Sequence, residues 1–178
     1  MSEDGGFRPA PLVLDASVLI EAARGDAGIM TLLQGYDADG QPLIIPVLAV
    51  TAASLDTRSE DAEAILHGLE RLENCVAAPV RDTEQAVRLA AVIARTQLDS
   101  YDAHVAAVAD AAVCPILTLD PAKWREHARD LDEPLHFVEI ADPDRPGCCG
   151  RGAEQRSVRN DGFDLGSSVG SSRPGAVI

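Results

Sequence analysis

The chain has 178 residues, a net charge of −14 and an apolar share of 46%, with aromatics at only 3%. That length supports one ordinary domain and a tail, and the apolar share supports a real core. The acidity excludes a broad basic nucleic-acid surface, but not a local basic path or carboxylates clustered to hold a metal.

Met1 to Ala10 reads as a flexible leader, acidic and without the apolar core of a signal peptide. Pro11 to Leu14 is an apolar run predicted as the first buried strand. Asp15 stands where that run must leave the sheet, and the Ser17 hydroxyl is suited to cap a helix from Val18. A helix is predicted over Ser17–Arg24, with Gly25 as its stop. Ile29 to Gln34 continues in helical fashion, and Tyr36 to Gly40 is a polar loop. Pro42 to Ile45 is a second short strand. Pro46 fits a first helical turn, so Val47 to Leu55 should be an apolar, largely buried helix.

Ser59 to Asn74 has a clear amphipathic pattern, with Ile65, Leu66, Leu69 and Leu72 on one face. Val76 to Pro79 is a third strand. Asp82 or Thr83 caps a helix to about Thr96, with Val87, Leu89, Ala90 and Ile93 expected inward. Asp99 caps a further helix to about Ala112, rich in small residues and suited to close packing. Cys114 to Leu119 is a strand, Pro121 to Arg129 a helix, and Leu135 to Ile140 a final strand. Such alternation of strands and helices predicts an α/β fold with a mostly parallel sheet covered on both faces.

After Ile140 the composition shifts. The stretch 141–178 is rich in Gly, Ser and Arg, its charges cancel, and it lacks apolar periodicity, which predicts a disordered tail. The domain is thus placed at 11–140. Cys148 and Cys149 are adjacent, and no cysteine pair has zinc-finger spacing, so Cys75 and Cys114 read as small core residues. No apolar run reaches membrane-spanning length. The expected setting is cytoplasmic.

Three acids carry the chemistry. Asp15 and Asp120 each end a predicted strand, where ligands bind in open α/β sheets. Asp102 falls in the first turn of a helix. Carboxylates converging at one sheet edge repel unless a cation or protons neutralise them. Mg²⁺ or Mn²⁺ suits an oxygen-only ligand set, and such an ion can promote phosphodiester hydrolysis. Thr118 can orient Asp120 or a metal-bound water. For each acid alone a turn, helix-dipole or cap role is the plainer reading. His104 reads as structural, Trp124 as core or a lid over a helix, and Arg81, Arg88 and Arg95 as a solvated face. Ser17 occupies the place of the second Asp of a haloacid-dehalogenase motif, and no Gly-rich phosphate loop follows the first strand.

LVLDASVLI (Leu12–Ile20), YDAHVAA (Tyr101–Ala107) and ILTLDPAKW (Ile116–Trp124), taken in order, resemble the three signature segments of the PIN domain, most closely its VapC type from bacterial toxin–antitoxin systems. The resemblance spans about Leu12 to Ile140. It implies a three-layer α/β/α sandwich and a Mg²⁺- or Mn²⁺-dependent ribonuclease, with Asp15, Asp102 and Asp120 as catalytic, metal-holding acids and Thr118 as a supporting hydroxyl. It further implies an RNA substrate, a small antitoxin partner and a homodimer. One departure stands out. The family usually carries a Glu on the helix after the second strand, and here the matching position is near Ala52, with no acid. Asp56 lies about one turn further on. The missing ligand opens a second reading, a catalytically weak or inactive module that binds RNA or protein.

Overall fold

Among the described residues the apolar runs form five short strands, and the segments between them form helices. The structure, a computed structural model, describes residues 9–127, 129–131 and 133–141. Most of the leader and the Gly/Ser/Arg-rich tail lie outside the described residues. Strand β1 (Leu12–Leu14) leads into α1 (Ala16–Ala23) and α2 (Ala27–Ala38). Strand β2 (Leu43–Pro46) is followed by α3 (Val47–Thr57) and α4 (Glu60–Leu69). Strand β3 (Cys75–Ala78) precedes α5 (Thr83–Thr96) and α6 (Ser100–Ala112). The series ends with β4 (Ile116–Thr118), α7 (Pro121–His127) and β5 (Phe137–Glu139).

The strands form one five-stranded sheet in the order β3-β2-β1-β4-β5. Every pairing in it is parallel. From β1 the chain winds outward through β2 to β3, then crosses back over the sheet to β4 on the other side of β1. Right-handed crossovers in opposite directions place helices on opposite faces. Helix α1 packs on α2, α3 and α4, and α6 packs on both α5 and α3. The result is a PIN-like α/β/α sandwich. Its topological switch point lies between β1 and β4, where a crevice opens at the carboxyl ends of the strands.

The central strands are buried on both faces, with Val13, Leu14, Ile116 and Leu117 fully enclosed. Small residues let the helices approach closely. Ala49 and Ala53 of α3 and Ala103 and Ala106 of α6 are completely buried. Cys114 is buried and Cys75 half-buried, both as free thiols.

Five local expectations are corrected. Helix α1 begins at Ala16 with Asp15 as its N-cap, and Ser17 is not the cap. Helix α2 runs through Tyr36 and Asp37 to Ala38, because the Asp26 carboxylate accepts the Ile29 N–H and nothing interrupts the helix before Gly40. Helix α4 ends at Leu69 and not at Asn74, since the Arg71 and Leu72 N–H groups turn back to Gly68 and Leu69. Asn74 is instead held by Asp37, its N–H donating to Oδ1 at 2.7 Å, which feeds the chain into β3. Helix α5 is rotated from its expected face. Val92 and Thr96 are buried with Leu89 and Ile93 beside them, while Val87 is 63% exposed and Ala90 is exposed. Leu89, Val92, Ile93 and Thr96 follow the i, i+3, i+4, i+7 stripe, and Val87 lies off it. Helix α3 is likewise less buried than its apolar sequence suggests, with Leu55 50% exposed.

His104 is structural, as its sequence context indicates. It is 4% exposed, and its Nδ1 accepts the Leu48 N–H at 3.3 Å. That N–H is an orphan donor in the first turn of α3, where the N-cap Pro46 makes no side-chain bond. Burial lowers the His104 pKa below its ordinary value. Protonation would also remove the acceptor lone pair. The unfolded chain therefore takes up this proton first, so stability is full above about pH 6.5 and declines below it. Urea unfolding at pH 7.5 and 5.5 is expected to show a loss at the lower pH that is smaller in His104→Gln. An identical loss in the variant would remove His104 as its source.

Candidate active site

The register between β1 and β4 builds the crevice. Leu14 pairs with Leu117, and the Asp15 N–H donates to the Leu117 carbonyl at 3.0 Å. The next residues on the two strands, Asp15 and Thr118, therefore stand side by side. As N-cap, Asp15 leaves the sheet with an extended backbone and offers only its carbonyl to the helix, to Val18 and Leu19. Its carboxylate makes no capping bond and is free to face the crevice.

That carboxylate is fully buried and held by four side-chain donors. Oδ2 accepts from Thr118 Oγ1 at 2.6 Å, Ser17 Oγ at 2.7 Å and Trp124 Nε1 at 3.2 Å. Oδ1 accepts from the Lys123 ammonium at 3.1 Å. Ser17 and Thr118 are themselves fixed, because Ser17 Oγ accepts the Leu119 N–H and Thr118 Oγ1 accepts the Asp120 N–H. Each hydroxyl thus spends its proton on Asp15 and its lone pair on the backbone leaving β4.

Asp102 arrives from the first turn of α6. Asp99 caps that helix, its Oδ1 accepting the N–H groups of Tyr101 and Asp102, which sets the turn on which Asp102 sits. The Asp102 carboxylate accepts from Lys123 Nζ at 2.7 Å, so one ammonium bridges Asp15 and Asp102. Burial raises the Asp102 pKa, and the Lys123 hydrogen bond and charge offset only part of that. Burial pulls Lys123 down in turn, but the two carboxylates outweigh it and hold the ammonium above its ordinary value. The Lys123 side chain is 21% exposed, and its Nζ lies 4.9 Å from the centroid of the Trp124 ring.

Asp120 lies beyond the same sheet edge, two residues after the end of β4. Its Oδ1 accepts the backbone N–H of Lys123 at 3.3 Å, at the start of α7. The structure thus brings Asp15 and Asp102 onto one shared cation and sets Asp120 as the cap of the helix that supplies it. The Thr118 hydroxyl donates to the Asp15 carboxylate and accepts the Asp120 backbone N–H. Ala52 is half-buried on α3, and Asp56 is engaged by Arg24 at 2.7 Å on the surface.

The donor chemistry of Asp15 and Asp102 fits a small divalent cation, because both already converge on one positive charge. Among the described residues, however, no three His, Cys, Asp or Glu side chains are grouped so that they could hold a metal ion. Lys123 stands between the two acids where such an ion would share them. Sequence reasoning passed over this residue. The available signal was a lysine in the first turn of a helix, where the macrodipole disfavours a cation. Such a residue needs a compensating acid, and two are present. The indole N–H of Trp124, also missed as a contributor, signalled itself only through the need of a buried indole for an acceptor.

The PIN domain family profile matches residues 12–130. A comparison with curated proteins gives no match. Among the described residues no helix is long and apolar enough to cross a membrane. The match takes in β1 to β4 and all seven helices among the described residues and leaves β5 outside it, and the chain belongs to the PIN domain family, whose members are in general metal-dependent nucleases.

Proposed function

We propose that this PIN domain is a divalent-metal-dependent ribonuclease, the toxin of a VapC-like toxin–antitoxin pair. The observation that carries this reading is the convergence of Asp15 and Asp102 on one cation at the switch point of the sheet. Asp15 and Asp102 would hold Mg²⁺ or Mn²⁺ directly, and Asp120, which is not grouped with them into a three-acid cluster, would serve through water. When bound, such an ion supplies positive charge against the phosphodiester and acidity to the attacking water. The chain's own part is preorganisation. Ser17, Thr118 and Trp124 fix Asp15 Oδ2, so that this carboxylate does not have to be ordered when substrate arrives. The partner would be a small antitoxin carrying basic residues to meet the acidic surface, and the working form a homodimer.

The test is cleavage of single-stranded RNA with Mg²⁺ or Mn²⁺ added, by wild type, Asp15→Asn and Asp102→Asn. Metal-stimulated cleavage is expected in wild type. Each variant should lose about 100-fold or more, equivalent to roughly 3 kcal/mol of transition-state stabilisation. Wild type that cleaves nothing under either metal would remove the nuclease reading. A second reading, a catalytically silent module that binds RNA or protein, is favoured by Ala52 at the usual Glu position and by Lys123 within the acidic pair. It requires RNA retained without cleavage, or a protein partner captured by a domain with no hydrolytic activity.

A further inference from the structure

We propose that Lys123 is an intramolecular counter-ion that occupies the cation seat between Asp15 and Asp102, so that a divalent ion binds only by ejecting it. The proposal rests on the nuclease reading for the existence of a metal-bound state, but the latch concerns this chain's own lysine. The geometry is direct, with Nζ 3.1 Å from Asp15 Oδ1 and 2.7 Å from Asp102 Oδ1. The remaining Asp15 oxygen is filled by three donors, so Oδ1 is the atom through which Asp15 can serve another cation, and Lys123 holds it.

The lysine is also built to leave. Its stem starts on α7, its side chain is partly solvent-exposed, and among the described residues its ammonium bonds only the two acids, apart from the ring contact with Trp124. A flexible four-carbon stem can carry the charge into water without moving the backbone. With Lys123 in place, the pair is two carboxylates against one ammonium. Adding a divalent ion beside that ammonium would set like charges at contact distance, so the two cations exclude each other. A site short of one family acid at Ala52 and closed by its own lysine is a weak metal site in the resting state.

The experiment is isothermal titration of Mn²⁺ alone into wild type, Lys123→Met and Lys123→Arg, with thermal melting of each in metal-free buffer and in Mn²⁺. Lys123→Met is expected to bind Mn²⁺ at least about tenfold more tightly than wild type, since a positive charge at contact distance is gone. Lys123→Arg, which keeps the charge, should stay near wild type. Without metal, Lys123→Met should melt below wild type, and Mn²⁺ should raise its melting temperature more than that of wild type. If Lys123→Met does not fold without metal, Lys123→Gln is titrated in its place. Equal Mn²⁺ affinity in wild type and the neutral variant overturns the latch and leaves the nuclease reading standing. Tighter binding by Lys123→Arg as well as Lys123→Met overturns the role of charge. Absence of Mn²⁺ binding in all three proteins removes the metal reading itself, and the latch with it.

Discussion

Replacing Asp15 by alanine is expected to destabilise the domain by about 3–5 kcal/mol, the range for removing one member of a buried ion pair. The carboxylate is fully buried and receives four side-chain donors, so its loss leaves several groups without their acceptor at once. Thr118 and Trp124 are buried and cannot turn to water, and each orphaned donor costs on the order of 1–3 kcal/mol. Lys123 keeps Asp102 and partial exposure, which limits its share. Asp15→Asn preserves shape but offers one acceptor oxygen where two are used, and is expected to lose roughly half as much. Urea unfolding of the three proteins checks the series. The outcome has diagnostic weight because acids kept only for catalysis repel their neighbours, and their removal then stabilises the fold. An Asp15→Ala protein as stable as wild type, or more stable, would show that this carboxylate is not the satisfied hub described above.

Trp124→Ala should cost a similar amount, about 3–5 kcal/mol, because a fully buried indole leaves a large cavity. The informative comparison is Trp124→Phe, which keeps most of the apolar volume and deletes the N–H that reaches Asp15 Oδ2 at 3.2 Å. Its expected cost is about 1–3 kcal/mol, since a bond to a charged acceptor is lost. A double-mutant cycle with Asp15→Asn separates the two contributions. Coupling of at least about 0.5 kcal/mol is expected for a direct contact. Strictly additive effects would make Trp124 a packing residue whose proximity to Asp15 has no energetic meaning. Because Trp124 follows Lys123 on α7, the same indole that fills the core also sets where the ammonium is presented.

The strands and the position of Asp15 at the end of β1 were legible because they depend on runs of a few residues, whereas β4 stops at Thr118, two residues short of Asp120. An apolar stretch buried on both faces, followed by a polar turn, has few other solutions. The cap role of Asp99 was legible for the same local reason. Helix faces were less so. In α5 two overlapping apolar stripes compete, and only the docking onto α6 selected Val92 and Thr96 over Val87. The entry of the chain into β3 after α4 is held by Asn74 meeting Asp37, a contact invisible to periodicity.

The sequence by itself determined a PIN-type α/β chain with acids at the edge of its sheet and no acid at Ala52. Only the tertiary structure decided what stands between Asp15 and Asp102. A carboxylate at a strand end is fixed by its own segment, but the reach of Lys123 depends on how α7 leaves β4, on the burial of Trp124 and on the approach of α6 across the switch point. The energy of that ammonium belongs to three distant segments at once, so it has no signature in any one of them.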